Sequence, residues 1–269
     1  MQYDPIKRLL GKIFNSTPFL RVLFYKLLNV LLLRTWHIKK ELRKIKKSFP
    51  EKAEVLDAGS GFGQYVYYLS SISPLWKIKG VDVKEEQIAD CNQFFTKLGE
   101  NNRILFEEAD LTKFVDPQKY DLILSVDVME HILEDVQVFK NFNQSLKPGG
   151  VLLISTPSDQ GGSDVHDEHE SSFVGEHVRD GYNIIDIEEK LKSAGFSKVE
   201  AYYSYGAPGK ISWKLSMKYP ILMVNTSKLL LLVLPFYYIV TFPFSLILNY
   251  FDLIGKHKTG TGLIVKAWK

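Results

Sequence analysis

Short apolar runs alternate with amphipathic stretches from Glu54 onward, and this alternation predicts a layered α/β fold. Val55–Ala58, Ile78–Val83, Ile104–Phe106, Leu122–Val126 and Val151–Ser155 are brief, apolar and bounded by turn or polar residues, as buried strands are. Between them Tyr65–Ile72, Glu85–Leu98, Glu134–Leu146 and Asp186–Ala194 carry apolar residues at helical spacing. Strands and helices in this order predict a mostly parallel sheet covered on both faces, with ligands outside the carboxyl ends of the strands. Lys198–Tyr203 and Leu263–Ala267 are two further strand candidates, separated by a long segment.

Two segments break the alternation. Phe19–Leu33 is rich in Leu, Val and Phe, with Arg21 and Lys26 among them, and Lys39, Lys40, Arg43, Lys44, Lys46 and Lys47 follow closely. This suits a basic amphipathic helix on an anionic membrane, and equally a pair of helices capping a cleft. From Leu229 to Phe251 no residue is charged, a stretch long enough to span a bilayer. A single crossing would strand the last β-element away from its sheet, and Pro235 and Pro243 are expected to divide the stretch into shorter pieces. The expectation is a helical excursion between strands six and seven. It dips into a membrane face, roofs a lipid-sized pocket, or forms a homodimer interface.

Composition sharpens this outline. With 269 residues, 45% apolar and 24% charged, the chain can bury one sizeable core. Cys91 is the only cysteine, so no internal disulfide forms and a reducing compartment fits. Residues 1–50 hold 12 Lys/Arg against 2 Asp/Glu, residues 51–206 hold 14 against 28, and residues 207–269 hold 8 against 1. Two basic flanks thus enclose an acidic middle. Met1–Gly11 already contains Asp4, Lys7 and Arg8, which does not suit a secretory signal, so the expected location is cytoplasmic, peripheral on the membrane face. The apolar interleaving of the basic flanks suits lipid, and no nucleic-acid partner is expected.

The candidate chemistry begins at Asp57-Ala-Gly59-Ser-Gly61-Phe-Gly63, where the first strand meets a helix. Glycines there permit positive φ and let a ligand lie against the backbone, while the free N–H groups of the helix face the site. A glycine-rich turn alone also suits a nicotinamide dinucleotide enzyme, although the GxGxG pattern lacks the extra spacer of that class. Asp82 ends the second strand, Asp110 follows the third, Tyr120–Ile132 runs from a fourth strand into a helix, and Leu146-Lys-Pro-Gly-Gly stops a helix before the fifth. For each aspartate, a helix cap or turn former is the plainer alternative.

The order of these five motifs resembles the class I S-adenosylmethionine-dependent methyltransferases. The resemblance implies a Rossmann-like sheet of seven strands, mostly parallel with an antiparallel last strand, and S-adenosylmethionine as cofactor. It places Asp57, Gly59, Gly61 and Gly63 around the methionine part of the donor, Asp82 at the ribose, Asp110 at the adenine, and Val126 in the wall of the methionine pocket. The expected organisation is N-terminal helices over 1–50, the donor-binding core over 51–206, an apolar helical insertion over 207–256 and the final core strand over 257–269.

A sulfonium donor is already activated, so the protein must mainly align a nucleophile and exclude water. A hydroxyl acceptor also needs a base, and histidine suits neutral pH. His131, beside Glu130 after the fourth strand, and His166, in the polar loop after the fifth, are the candidates; His169 and His177 lie nearby. Asp127-Val-Met-Glu130-His131 also resembles the acidic-x-x-Glu-His run of quinone-biosynthesis O-methyltransferases, some of which use a divalent cation. No metal is assigned, and Glu130 is expected to engage backbone N–H groups at the helix start. The expected function is methyl transfer, O-methylation foremost, to a hydrophobic small molecule such as a quinone, alkylphenol or lipid. A non-catalytic lipid- or partner-binding module and an NAD-dependent oxidoreductase are the alternatives.

Overall fold

A computed structural model describes residues 17–161 and 178–269. Its β-strands are β1 Glu54–Ala58, β2 Lys77–Asp82, β3 Ile104–Glu108, β4 Tyr120–Val126, β5 Leu146–Pro157, β6 Lys198–Ser204 and β7 Gly262–Trp268. They form one seven-stranded sheet in the order β3-β2-β1-β4-β5-β7-β6. The first five are parallel, and β7 inserts antiparallel between β5 and β6. Side chains alternate between two apolar layers, as the period of a strand requires. Leu56, Ile123, Leu152 and Val265 belong to one layer, and Val55, Leu122, Leu153 and Ile264 to the other. The order reverses beside β1, which opens the crevice at the carboxyl ends of β1 and β4.

The helices are α1 Pro18–Leu31, α2 Leu33–Lys46, α3 Gln64–Ile72, α4 Glu85–Lys97, α5 Asp135–Ser145, α6 Ile184–Ser193, α7 Ala207–Trp213, α8 Tyr219–Thr226 and α9 Leu234–Ile254. The core helices match the expected amphipathic runs. As expected, α5 stops at Leu146; the strand assignment begins at that residue, and Lys147-Pro-Gly-Gly150 forms an irregularity before regular pairing with β4 resumes at Val151.

The N-terminal helices cap the core. Leu32, in an extended conformation, separates α1 from α2. Arg21, only 3% exposed, faces inward, so its charge is spent inside the protein. Much of the basic run on α2 is also engaged. Lys39 lies over the Tyr68 ring, and burial, aided by Arg43, lowers its ammonium to about 8. Lys40 donates to the Leu253 carbonyl, Lys44 pairs with Glu41 and Lys46 donates to the Ile72 carbonyl.

Between β6 and β7 the chain makes the apolar excursion. It runs through α7, a π-helical turn at Lys214–Lys218, α8, a 3₁₀ turn at Lys228–Leu232, and α9. The stretch is divided just before Pro235, between the 3₁₀ turn and α9, but not at Pro243, because α9 runs unbroken for 21 residues. Pro235 sits in its first turn, where the missing N–H is not needed, and Pro243 is accommodated in the interior. By length and composition α9 could cross a membrane. Its polarity is reversed for a soluble protein: Ser245, Asn249 and Asp252 are buried, while Phe236, Ile239, Val240, Phe244, Ile247 and Phe251 are exposed.

Asp252 anchors this helix. It is fully buried, with Oδ1 2.9 Å from His37 Nε2 of α2, and it accepts the backbone N–H groups of Tyr205 at 3.1 Å and Gly209 at 3.0 Å. His257 Nε2 lies 3.3 Å from its second oxygen. Burial alone would raise this carboxyl, but the His37 bond, the two histidines and the backbone donors hold it below its ordinary value. Asp252→Ala should therefore cost about 3 kcal/mol or more in denaturant unfolding, because it leaves His37 and two buried N–H groups without their acceptor. A loss within about 0.5 kcal/mol would show that the anchor is dispensable.

Candidate active site

The turn after β1 depends on three glycines. Gly59, Gly61 and Gly63 have φ of 79°, 51° and 78°, in the left-handed region that a Cβ disfavours. Gly59 also has no room for a side chain, since a Cβ there would meet Val128 Cγ2 at 2.2 Å. Gly61 faces open space, with Gln87 Oε1 the nearest atom at 3.8 Å from such a Cβ. The N–H groups of Gly59 and Ser60 bond the Val81 carbonyl at 2.8 and 2.9 Å, tying the turn to β2.

The three aspartates behave differently. Asp57 is 1% exposed, its Oδ2 has no hydrogen-bond partner, and Val66 N–H donates to its carboxylate. Burial, and then the charge of Asp82, push its carboxyl up to about 8. Asp82 shapes the turn, accepting Gly61 N–H on Oδ2 at 2.9 Å and Lys84 N–H on Oδ1 at 3.1 Å. Each oxygen keeps a second lone pair, which leaves it able to accept ribose hydroxyls as well. Asp110 is exposed and accepts both the Thr112 N–H and hydroxyl on Oδ1, at 2.9 and 2.7 Å, so it is held below the ordinary carboxylate range. It thus forms the turn after β3, while its second oxygen, 3.8 Å from Lys113 Nζ, keeps room to accept from a ligand. Val126 is half-buried at the end of β4 and packs on the apolar layer that holds Val55 and Leu124.

These residues fit S-adenosylmethionine. The open approach at Gly61 admits a ligand to the backbone, and the orphaned, buried Asp57 oxygen offers an acceptor to its ammonium. When bound, the donor would supply the activated methyl group. The protein would supply position, charge and exclusion of water.

The turn after β4 faces the same crevice. Asp127, at φ 52°, is a non-glycine residue held in the left-handed region, and its carboxylate pairs with the Arg34 guanidinium of α2. Arg34 Nε is buried without a partner, and its backbone N–H donates to the Tyr205 hydroxyl at 3.0 Å. Tyr65, in the first turn of α3, bonds Arg34 and lies 3.4 Å from Thr35 Oγ1. Glu130 is buried, accepts the Thr156 hydroxyl at 3.0 Å and engages its own backbone N–H, as expected of a carboxylate starting a helical turn. Burial raises it above the ordinary carboxylate range. His131 is half-buried in the 3₁₀ turn Met129–His131. His166, with His169 and His177, lies outside the described residues. Among the described residues, no group of three or more His, Cys, Asp or Glu is placed to hold a metal ion.

Sequence reasoning did not find the clamp from α1. Arg21 donates to the Phe62 carbonyl of the glycine turn at 2.9 Å and to the Asp90 carbonyl of α4 at 3.1 Å. Tyr25 accepts from Arg21 Nε at 2.8 Å and donates to the same Phe62 carbonyl. The four-residue spacing of Arg21 and Tyr25 places both on one helix face and was a readable signal. Arg34 and its pairing with Asp127 were missed too, since nothing local links them.

A family model described as a methyltransferase domain matches residues 50–203. The chain is 32% identical over 165 residues to phosphoethanolamine N-methyltransferase 1 of Zea mays, a match covering 58% of this chain and 31% of that protein. It is 26% identical over 124 residues to ubiquinone biosynthesis O-methyltransferase of Rickettsia prowazekii, covering 45% of this chain and 48% of the relative. Among solved structures, Haemonchus contortus phosphoethanolamine N-methyltransferase 2 in complex with S-adenosyl-L-methionine superposes with a TM-score of 0.60 at 20% identity, covering 86% of this chain and 52% of that one. The chain spans about a third of the length of the first curated relatives it matches.

Gly59→Ala should destabilise the fold by about 2 kcal/mol or more and prevent donor binding, since it adds overpacking against Val128 to left-handed strain. Thermal unfolding and donor titration would both detect this, and wild-type values for both would refute it. Asp57 gives a pH signature. The folded protein keeps this proton up to about pH 8, whereas the unfolded chain releases it near pH 4. Its contribution to stability therefore falls as pH rises from about 4 to about 8. Asp57→Asn should remove that fall, so the variant's melting temperature should gain on the wild type between pH 5 and 8. Parallel curves would contradict the assignment.

Proposed function

From the membership of this chain in the class I S-adenosylmethionine-dependent methyltransferases, we propose that it methylates an oxygen of a hydrophobic small molecule, a quinone, alkylphenol or lipid, at a membrane surface. The carrying observation is the reversed polarity of α9, with Ser245, Asn249 and Asp252 inward and a stripe from Phe236 to Ile254 outward. Leu229, Leu232 and Phe236 are each more than 70% exposed, an apolar surface that calls for a non-aqueous neighbour. The return of the chain into β7, between β5 and β6, suits a helix lying along a membrane face. A homodimer contact would cover the same stripe, and the test separates the two.

At the reaction centre, the reading gives each residue one task. Asp57 and the glycine turn hold the donor, and Arg34 with Asp127 closes the crevice against water. His131 would take the proton of the acceptor hydroxyl, and the donor, when bound, would supply the methyl group to that oxygen. That both N- and O-methyltransferases occur among the relatives leaves the acceptor atom to experiment.

The test offers radiolabelled S-adenosylmethionine and a membrane lipid extract to the full chain and scores vesicle flotation in parallel. Label is expected in the organic phase, with turnover at least about a hundredfold lower in His131→Ala. Replacing Ile239 and Phe244 together with Glu should reduce vesicle binding at least about tenfold, as burying two large apolar side chains is worth several kcal/mol. Label found only in water-soluble products would overturn the acceptor class. Unchanged flotation in the double variant, or a dimer that the variant dissociates without affecting flotation, would overturn the membrane reading.

A further inference from the structure

The outward face of α1 is apolar, as that of α9 is. Phe19, Leu23, Leu27 and Val30 fall at helical spacing on one side of the helix and are exposed. Lys26 is exposed on the same side. Arg21 and Tyr25 point the opposite way and are the buried residues of the helix. A helix of 14 residues that turns an apolar side outward takes only part of its stability from the core, and one of this length is marginal alone. Its polar hold on the molecule is the clamp on the glycine turn, where Arg21 and Tyr25 both donate to the Phe62 carbonyl. The Arg21 guanidinium also lies 4.7 Å from the centre of the Phe94 ring of α4.

Charge decides what covers the outer face. Among the described residues up to Pro50 and from Ala207 onward, the acidic side chains are Glu41 and Asp252, and both are fully buried. The exposed side-chain charges of these elements are therefore cationic, Lys26 on α1, Lys228 ahead of α9 and Lys256 and Lys258 after it among them. Two copies of this chain meeting through such faces would oppose like charges, whereas an anionic bilayer supplies the complement and takes up the apolar stripe. The end of α1 also meets the insertion, since Leu31 and Leu32 border the same narrow gap as Trp213, Met217 and Asn249. The two helices with outward apolar faces are thus linked at the surface.

We propose that α1 lies by its outer face on an anionic lipid bilayer, and that this contact, by keeping Arg21 and Tyr25 on the Phe62 carbonyl, raises the affinity of the glycine turn for S-adenosylmethionine. The inference rests on the proposed membrane association and adds to it a second contact helix and a regulation of the donor site. Arg21 and Tyr25 act through Phe62 and are positioning residues.

S-adenosylmethionine is titrated by calorimetry into the full chain alone, with phosphatidylcholine vesicles, and with vesicles of phosphatidylcholine and phosphatidylglycerol in equal parts, with flotation scored in parallel. The anionic vesicles are expected to tighten donor binding at least about fivefold, and the neutral ones to leave it unchanged. Leu23→Glu together with Leu27→Glu should keep the vesicle-free affinity, because neither residue touches the glycine turn, and should lose the enhancement. Arg21→Gln should still float with anionic vesicles, yet bind the donor more weakly and without response to lipid. Tyr25→Phe, which removes one hydroxyl, should do the same in smaller measure. Melting curves without vesicles serve to confirm that each variant folds. Donor affinity indifferent to anionic vesicles on which the wild type floats would overturn the inference and leave the membrane reading standing. Full enhancement in the double variant, or an equal response to neutral vesicles, would also overturn it. A wild type that floats on neither kind of vesicle would sink the membrane reading and this inference with it, whereas water-soluble methylated products would sink the acceptor class alone.

Discussion

A single buried carboxylate holds together the parts of this protein that a common α/β core would not hold by itself. Asp252 sits near the end of α9, yet its partners come from α2, from the residue after β6, from α7 and from the loop before β7. A buried charge is tolerable only when most of its lone pairs are occupied, and this one accepts two backbone N–H groups as well as facing two histidines. The geometry leaves no room for a larger residue at Gly209, where a Cβ would lie 2.6 Å from Asp252 Oδ2. An apolar helix with an outward greasy stripe gains little from burial, so its attachment must come from such polar contacts on its inner face. Asp252 thereby fixes where α9 lies relative to Tyr205, and hence relative to Arg34.

Backbone strain is concentrated at the same junction. Asp127 and Tyr205 are both non-glycine residues with positive φ, one ending β4 and the other ending β6. Each costs free energy in that conformation, and each persists because partners over-determine it. Asp127 is held by Arg34, while Tyr205 is held through its N–H by Asp252 and through its hydroxyl by the Arg34 N–H. Arg34 is thus the link between the two strained ends. It belongs to the N-terminal helices, so this cap and the ends of β4 and β6 are coupled through one residue. Leu32, extended between two helices, is where the chain turns from α1 into α2.

The core was legible in the sequence because its signals are local. Val55–Ala58 and Ile78–Val83 are apolar runs whose ends coincide with turns, and the glycine turn announces itself by composition. The same alternation predicts the mostly parallel sheet, while the strand order that opens the crevice is a property of the fold. Asp110 combines both readings that its position offers: Thr112 engages Oδ1 in a turn, and Oδ2 is left for a ligand. Pro243 misled, since α9 carries it in its interior, whereas Pro235 marks the start of that helix, where its missing N–H removes no bond. The Arg34–Asp127 and His37–Asp252 pairs join residues far apart in sequence, and no local pattern encodes such a contact. For the same reason Arg21 and Lys39, which read as a surface charge pattern, proved to be spent inside the fold.

The charge distribution has a further consequence for the proposed membrane reading. In residues 207–269 Asp252 is the sole acid, and it is buried, so Lys210, Lys214, Lys218, Lys228, Lys256 and Lys258 give the insertion an almost purely cationic character. The core they flank is acidic. On an anionic bilayer such a molecule is drawn by one end and repelled by the other, with each nearby cation worth about 1 kcal/mol and the field decaying over roughly 10 Å. The apolar stripe of α9 lies on the cationic end, so electrostatic attraction and burial favour the same orientation. In it the crevice at the carboxyl ends of β1 and β4 would stay in the aqueous phase that delivers the donor, while the outer stripe of α9 would meet lipid. A polar donor and an apolar acceptor could then approach the molecule from opposite phases.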